Sequence, residues 1–140
     1  MNVSGWGFAV PELRIVEKLP QVSIRISNKG KHLDLDHVLI DTGSGGTVFS
    51  ATRLLEIDIR CEPSDTLNRI RGVGGTEFVF SKNIENISMG DLSLTSFNIE
   101  VGALEYGFRF PLDGIVGMDF LDKIGAVIDL RSRRITGALP

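Results

Sequence analysis

The chain has 140 residues, of which 42% are hydrophobic and 24% are charged, proportions typical of one globular domain with a modest core. A formal net charge of −3 argues against a protein that binds nucleic acid. Its apolar runs are far shorter than a membrane span, and its N-terminus lacks the features of a signal peptide. We therefore expect no nucleic-acid partner and no membrane span in this segment, and a cytoplasmic protein or the soluble part of an anchored one.

Cysteine and histidine are too few to indicate a disulfide or a metal site. Cys61 is the only cysteine, so no disulfide can form within the chain. His32 and His37 lie five residues apart on one predicted strand, where alternation places their side chains on opposite faces. We expect no metal ion and no other cofactor.

A β-hairpin is predicted in the first third of the chain. Gln21–Ile26 alternates in period two, as a half-buried strand does, and Asn28–Lys31 has the composition of a tight turn. A second apolar segment, Leu33–Ile40, follows the turn. Residues 21–40 are therefore expected to form a hairpin that presents Asp41 at its far end.

Short strands and short helices are predicted along the rest of the chain. Thr47–Phe49 is expected to be extended, and Ser50 is expected to cap a short helix. Asp119 is expected to cap a second short helix, which Gly125 ends. Further hairpins are predicted within residues 68–80, 84–101 and 126–136. The predicted class is all-β, a single domain with one or two short helices.

The segment Val38–Thr47 leads from an apolar run through Asp41 into a glycine-rich turn, and three interpretations of that aspartate are open. A phosphate-binding loop is disfavoured, because no lysine follows the glycines and no βαβ rhythm surrounds them. A simple turn fits, since aspartate hydrogen-bonds to the backbone two residues further on. A catalytic carboxylate also fits, because hydroxyl and N–H donors around a rigid strand end can orient it to activate water.

Three motifs resemble those of one known family. Ile40–Ser44, with the sequence Ile-Asp-Thr-Gly-Ser, resembles the first signature of pepsin-like and retroviral-type aspartic proteases. Arg71–Gly75 resembles the glycine-rich flap tip of the retroviral-type enzymes, and Ile115–Gly117, before a short helix, resembles their second signature. The implied fold is a retropepsin-like acid protease half-barrel. The resemblance divides the chain into an N-terminal extension, a protease domain and a C-terminal extension, at residues 1–19, 20–130 and 131–140.

The resemblance implies an aspartic endopeptidase that hydrolyses peptide bonds through a water molecule activated by a pair of Asp41 carboxylates. The chain has a single Asp-Thr-Gly, so the second Asp41 is expected from a second copy across a two-fold axis. Two other carboxylates could be proposed as partners within the chain. We interpret Asp119 instead as a helix cap and Asp113 as a loop residue near the cleft.

The family's functional residues carry over by position. Asp41, Thr42 and Gly43 are the implied catalytic residues, with Thr42 forming hydrogen bonds across the dimer. The implied substrate-binding residues come from the catalytic loop, the flap tip and the second signature region. They are Ser44, Gly72, Val73, Gly74, Leu112 and Ile115.

Two departures from the viral pattern qualify the resemblance. Retroviral enzymes place an arginine–aspartate ion pair where this chain has Met118 and the glycines Gly45 and Gly46. The Ser-Gly-Gly turn is more similar to cellular and bacterial members of the family than to viral ones. The alternative interpretation is a catalytically inactive retropepsin-fold module that dimerises or binds peptides.

Overall fold

The computed structural model describes residues 10–72, 75–104 and 111–138, with only the backbone described for residues 70–72 and 75–77. The strands in these ranges are β1 (Arg14–Val16), β2 (Leu19–Asn28), β3 (Lys31–Ile40), β4 (Val48–Ser50), β5 (Leu67–Gly72), β6 (Gly75–Met89), β7 (Leu92–Gly102), β8 (Gly114–Val116), β9 (Val127–Asp129) and β10 (Arg134–Thr136). The helices are α1 (Ala51–Leu54), continued by a 3₁₀ turn at Leu55–Ile57, and α2 (Met118–Lys123). The predicted all-β class is confirmed. No helix in the described ranges is long and apolar enough to cross a membrane.

The eight strands β1 to β8 form one sheet in the order β1-β2-β3-β8-β4-β7-β6-β5. An additional pairing between β2 and β6 closes six of these strands into a barrel-like sheet. β3 and β8 are parallel, with Ile40 opposite Val116, so both strands end at the same edge. Strands β9 and β10 pair separately as a two-stranded sheet.

The predicted hairpin over residues 21–40 is confirmed as β2 and β3. Lys29 and Gly30 form its two-residue turn, and both have positive φ, at 50° and 79°. Such turns match the right-handed twist of the flanking strands. Because β3 ends at Ile40, Asp41 is the first residue beyond the strand.

The register between β2 and β3 shifts once, after Val22, so that two residues of β3 stand against one of β2. This bulge reverses the alternation of side chains along the second half of β3. His32 and His37 are both exposed, each beside a buried residue, Leu33 and Val38 respectively. The prediction that the two histidines lie on opposite faces is therefore wrong, because the bulge places both on the side away from the core.

The local signals elsewhere predict the elements well. The Ser50 hydroxyl caps α1 by accepting a hydrogen bond from the Arg53 N–H at 3.3 Å. Gly125 follows α2 with a positive φ of 59°. The other predicted hairpins are confirmed as β5–β6, β6–β7 and β9–β10.

One hydrophobic core fills the barrel-like sheet. Phe120 of α2 is fully buried, and its ring meets that of Phe97 edge to face at a centroid distance of 5.8 Å. Leu13 and Ile135 pack into the same core. Residues from both predicted extensions thus complete the core of the predicted protease domain, while the domain boundaries themselves stay a prediction.

The loop after β3 crosses directly over the start of α2. The Met118 N–H donates to the Ser44 carbonyl at 2.7 Å, and the Asp119 N–H donates to the Gly45 carbonyl at 3.2 Å. A Cβ atom on Gly117 would lie 2.3 Å from the Gly46 carbonyl oxygen and 2.6 Å from that of Ser44. Glycine at position 117 therefore allows two backbone segments, far apart in sequence, to lie in direct contact.

We predict that Gly117→Ala lowers the free energy of unfolding by about 2 to 3 kcal/mol, because the added methyl group forces two backbones apart. Equilibrium unfolding in urea measures the change. Gly45→Ala is the matched control, since a Cβ there meets no heavy atom within 4 Å. We expect the control to change stability by less than about 0.5 kcal/mol. Equal stability of the two variants would contradict the close crossing.

Candidate active site

Asp41 lies at the junction of β3, β8 and the glycine-rich loop. Its N–H donates to the Val116 carbonyl at 2.9 Å, which extends the β3–β8 pairing by one residue. Its Oδ1 accepts a hydrogen bond from the Gly43 N–H at 2.9 Å, and its carbonyl accepts one from the Ser44 N–H at 3.1 Å. The carboxylate is half-buried, and within the described residues it accepts only this one hydrogen bond. The turn interpretation and the catalytic interpretation of Asp41 are therefore compatible.

The two residues after Asp41 are exposed. The Thr42 hydroxyl forms no hydrogen bond with the described part of its own chain. Thr42 lines a shallow groove together with residues of α2 and of the segment after it, namely Met118, Leu121, Asp122, Gly125, Ala126 and Ile128. A Cβ on Gly43 would lie 3.2 Å from the Asp41 Oδ1, so glycine at this position keeps the carboxylate accessible.

A partly buried polar junction joins the end of the loop to the start of α2. The Asp119 carboxylate accepts hydrogen bonds from the Thr47 hydroxyl at 2.7 Å and from the Thr47 N–H at 3.2 Å. It also accepts one from the Phe120 N–H at 2.8 Å. The Thr47 hydroxyl oxygen in turn accepts from the Gly117 N–H at 3.1 Å. The end of the glycine-rich loop is thus bonded to the first turn of α2.

The prediction that Asp119 caps α2 is wrong. The N-cap is Gly117, which has no side-chain hydrogen bond, and Asp119 is the second helical residue. An acidic residue is common in the first turn, where the helix dipole favours it, so the local sequence does not separate the two placements. Thr47 belongs to no recognisable motif, and it is separated from Asp119 by 72 positions in the sequence. Sequence reasoning therefore misses the junction.

Asp113 supports the sheet at the opposite end of β8. Its side chain is buried, and its carboxylate accepts from the His37 N–H at 3.1 Å and from the Arg53 guanidinium at 2.8 Å. Burial works to lower the pKa of Arg53, but its ion pairs with Glu56 and Asp113 outweigh burial and raise that pKa. Asp113 is level with His37, four residues before Asp41, a separation of roughly 13 Å along a strand. It is therefore too far away to share a proton with Asp41.

The predicted substrate-binding residues occupy different environments. The Ser44 hydroxyl is engaged within the loop, since it donates to the Gly46 carbonyl at 2.8 Å. Leu112 is buried, and Ile115 is half-buried against a small apolar cluster. Gly72 pairs with Gly75 at the end of the β5–β6 hairpin. Val73 and Gly74, predicted as the flap tip, lie outside the described residues.

A comparison with known protein families gives a match over most of the chain. A family model described as aspartyl protease matches residues 22–120, from β2 into α2. The matched region includes the loop after β3, the β5–β6 hairpin and the β8–α2 crossing. No curated protein matches the chain. In the described part of the chain, no group of three or more His, Cys, Asp or Glu side chains is arranged to hold a metal ion.

We predict that Thr47→Val lowers the free energy of unfolding by about 2 kcal/mol. Valine keeps the shape of threonine but leaves the Asp119 carboxylate without its side-chain donor and the Gly117 N–H without its acceptor. Urea unfolding at low protein concentration measures the loss. Thr95→Val, at an exposed position on β7, is the matched control and is expected to be nearly neutral. If both variants were equally stable, the junction would contribute nothing to folding.

Proposed function

The chain belongs to the family of retropepsin-like aspartyl proteases, and on that basis we propose that it is an aspartic endopeptidase active as a homodimer. Two Asp41 carboxylates, one from each chain, activate the water molecule that hydrolyses the peptide bond. The observation that carries this proposal is the environment of Asp41. Its carboxylate projects from a strand end, is held by one backbone N–H and has no competing cation in the described residues.

The chemistry needs two carboxylates that share one proton. Like charges about 3 Å apart do not both ionise, so one member of the pair is protonated while the other carries the charge. The ionised member takes a proton from water as the water oxygen attacks the peptide carbonyl carbon. The protonated member donates its proton to the carbonyl oxygen. When the tetrahedral intermediate collapses, the C–N bond breaks and the carboxyl group that took the proton from water gives it to the leaving amine. A hydroxyl of the intermediate returns a proton to the other carboxylate as the carbonyl re-forms.

The second carboxylate comes most simply from a second chain. Both in-chain candidates already have structural partners, since Asp113 pairs with Arg53 and Asp119 bonds to Thr47. An isologous two-fold interface brings a residue on its axis face to face with its own copy. A homodimer with Asp41 near the axis therefore supplies the pair without any further residue.

The surface beside Asp41 is suited to a second copy of this chain. Thr42 is exposed with a hydroxyl that has no partner in the described chain, as expected for a residue that bonds across the dimer. Near it are Met118, 42% exposed, and β9, where Val127 is 60% exposed. Within the described strands, β9 pairs only with β10, so its other edge is open to a further strand. These features support a dimer interface built from this edge and groove.

The peptide would lie between the end of the β5–β6 hairpin and the part of the sheet that carries Asp41. We propose that this hairpin is the flap, with Gly72, Val73 and Gly74 offering backbone groups to an extended substrate. Ile115 and the apolar cluster around it would form a side-chain pocket. Leu112, which is buried, would lie behind the wall of this pocket. The pockets are therefore expected to favour apolar side chains next to the scissile bond.

We predict that Asp41→Asn lowers kcat for peptide hydrolysis by on the order of 10³-fold or more, because the amide cannot take a proton from water. Cleavage of a peptide library, read by mass spectrometry, measures the activity. Asp91→Asn, in the exposed turn between β6 and β7, is the control and keeps full activity. An Asp41→Asn variant as active as the control would contradict the proposal.

We also predict that the specific activity falls when the protein is diluted, because the active species is a dimer. Sedimentation and activity measured over the same concentration range follow one dissociation curve. Adding Asp41→Asn protein to the unmodified protein lowers its activity, since mixed dimers carry one carboxylate. Constant specific activity in a monomeric sample would contradict the shared site, whereas a stable dimer that cleaves nothing would favour the inactive module.

A further inference from the structure

A row of residues in register crosses the sheet on the face that Asp41 shares. Leu39 of β3 is opposite Ile115 of β8, and Ile115 is opposite Val48 of β4. Val48 is opposite Glu100 of β7, and Glu100 is opposite Ser81 of β6. Directly opposed residues on neighbouring strands face the same side of a sheet. We call Leu39, Ile115, Val48, Glu100 and Ser81 the cross-sheet row.

The cross-sheet row faces away from the main core, and two of its members, Leu39 and Val48, are buried on that other side. The next residue along several of these strands lies in the core, as Ile40, Phe49 and Val101 do. Because side chains alternate along a strand, the row points to the other side. Asp41 follows Leu39 by two residues, so its side chain lies on the same face of the sheet as the row. The row therefore begins beside the proposed catalytic residue and ends at Ser81.

Glu100 is the one charged member of this row. Its carboxylate accepts hydrogen bonds from the Ser81 hydroxyl at 3.0 Å and from the Asn68 amide at 3.4 Å. Apolar residues lie near Glu100. Val48 is its neighbour on β4, and Val79 lies close to Gly102, which is two residues after Glu100 on β7. The Glu100 side chain is half-buried, yet no cation in the described chain pairs with it.

This environment can bind a cation that the described residues do not supply. A half-buried carboxylate gains further stabilisation from an opposite charge, because two neutral donors replace its lost hydration only in part. A carboxylate has about four acceptor positions, and the two neutral donors leave room for an ammonium or a bidentate guanidinium. By contrast, the buried Asp113 carboxylate already has its cation in Arg53.

We propose that Glu100, held by Ser81 and Asn68, is a specificity subsite that binds a lysine or arginine side chain of the peptide substrate. The inference rests on the proposed endopeptidase function, because it places the peptide along the face that Asp41 shares. In a two-fold dimer the subsite occurs once on each side of the scissile bond.

The strand geometry gives the subsite an approximate place along the peptide. Glu100 lies three strand spacings of ~4.8 Å across the sheet from Leu39, and Asp41 lies two residues of ~3.3 Å along the strand from Leu39. Because these two directions are perpendicular, Glu100 and Asp41 are roughly 16 Å apart. Extended peptide covers roughly 16 Å in about five residues. The basic residue therefore belongs within about five residues of the scissile bond, and beyond the apolar pocket around Ile115.

The test uses fluorogenic peptides with an apolar pair at the centre and glutamine at the flanking positions. A single lysine replaces glutamine at each flanking position in turn. We expect lysine at one position on either side to raise kcat/KM by about tenfold, and high salt to reduce the gain. Glu100→Gln keeps the size of the side chain and loses the preference. Glu85→Gln, an exposed carboxylate elsewhere on β6, keeps it.

Binding of the same peptides to the Asp41→Asn protein separates this inference from the proposed function. If lysine peptides bind more tightly than glutamine peptides and Glu100→Gln removes the difference, the subsite stands even where no peptide is cleaved. Cleavage with no preference for lysine at any position overturns the subsite and leaves the endopeptidase intact. A preference that survives Glu100→Gln also overturns it, as does the absence of any difference in both assays.

Discussion

The bond between the Asp119 carboxylate and Thr47 is the interaction on which the candidate site depends. It joins the end of the glycine-rich loop to the first turn of α2, and the Thr47 hydroxyl passes the connection on to the Gly117 N–H. The other hydrogen bonds described between this loop and α2 join backbone groups. A charge-assisted, half-buried bond of this kind is stronger than one between neutral groups, and it is costly to leave half-formed.

The barrel-like sheet also positions Asp41. Parallel pairing of β3 with β8 brings the ends of both strands to one edge, where the Asp41 N–H bonds to Val116. At position 117 only glycine lets the loop lie against the start of α2. The backbone of Asp41 and the loop that follows it are therefore held from two directions by groups that do not take part in proton transfer. Preorganisation of this kind allows a carboxylate to act without first being reoriented.

Local patterns predict much of the fold, and long-range register is what they miss. Alternation and turn composition identify the β2–β3 hairpin and the position of Asp41, because both depend on neighbouring residues. The bulge in β3 is set by packing against β2, so strict alternation gives the wrong side for one histidine. Asp119 satisfies the local rule for a helix cap, yet its partner lies 72 residues away. The cross-sheet row that contains Glu100 likewise emerges only when five strands are aligned.

The proposed activity depends on dimer assembly, because Asp41 can perform this chemistry only beside its own copy. A crystal structure of the protein with a statine-type peptide bound tests this claim most directly. We expect a two-fold axis with two Asp41 carboxylates within hydrogen-bonding reach, about 3 Å apart, around the hydroxyl of the inhibitor. A structure in which the peptide is bound by a single chain, with no second Asp41 near the first, would contradict it.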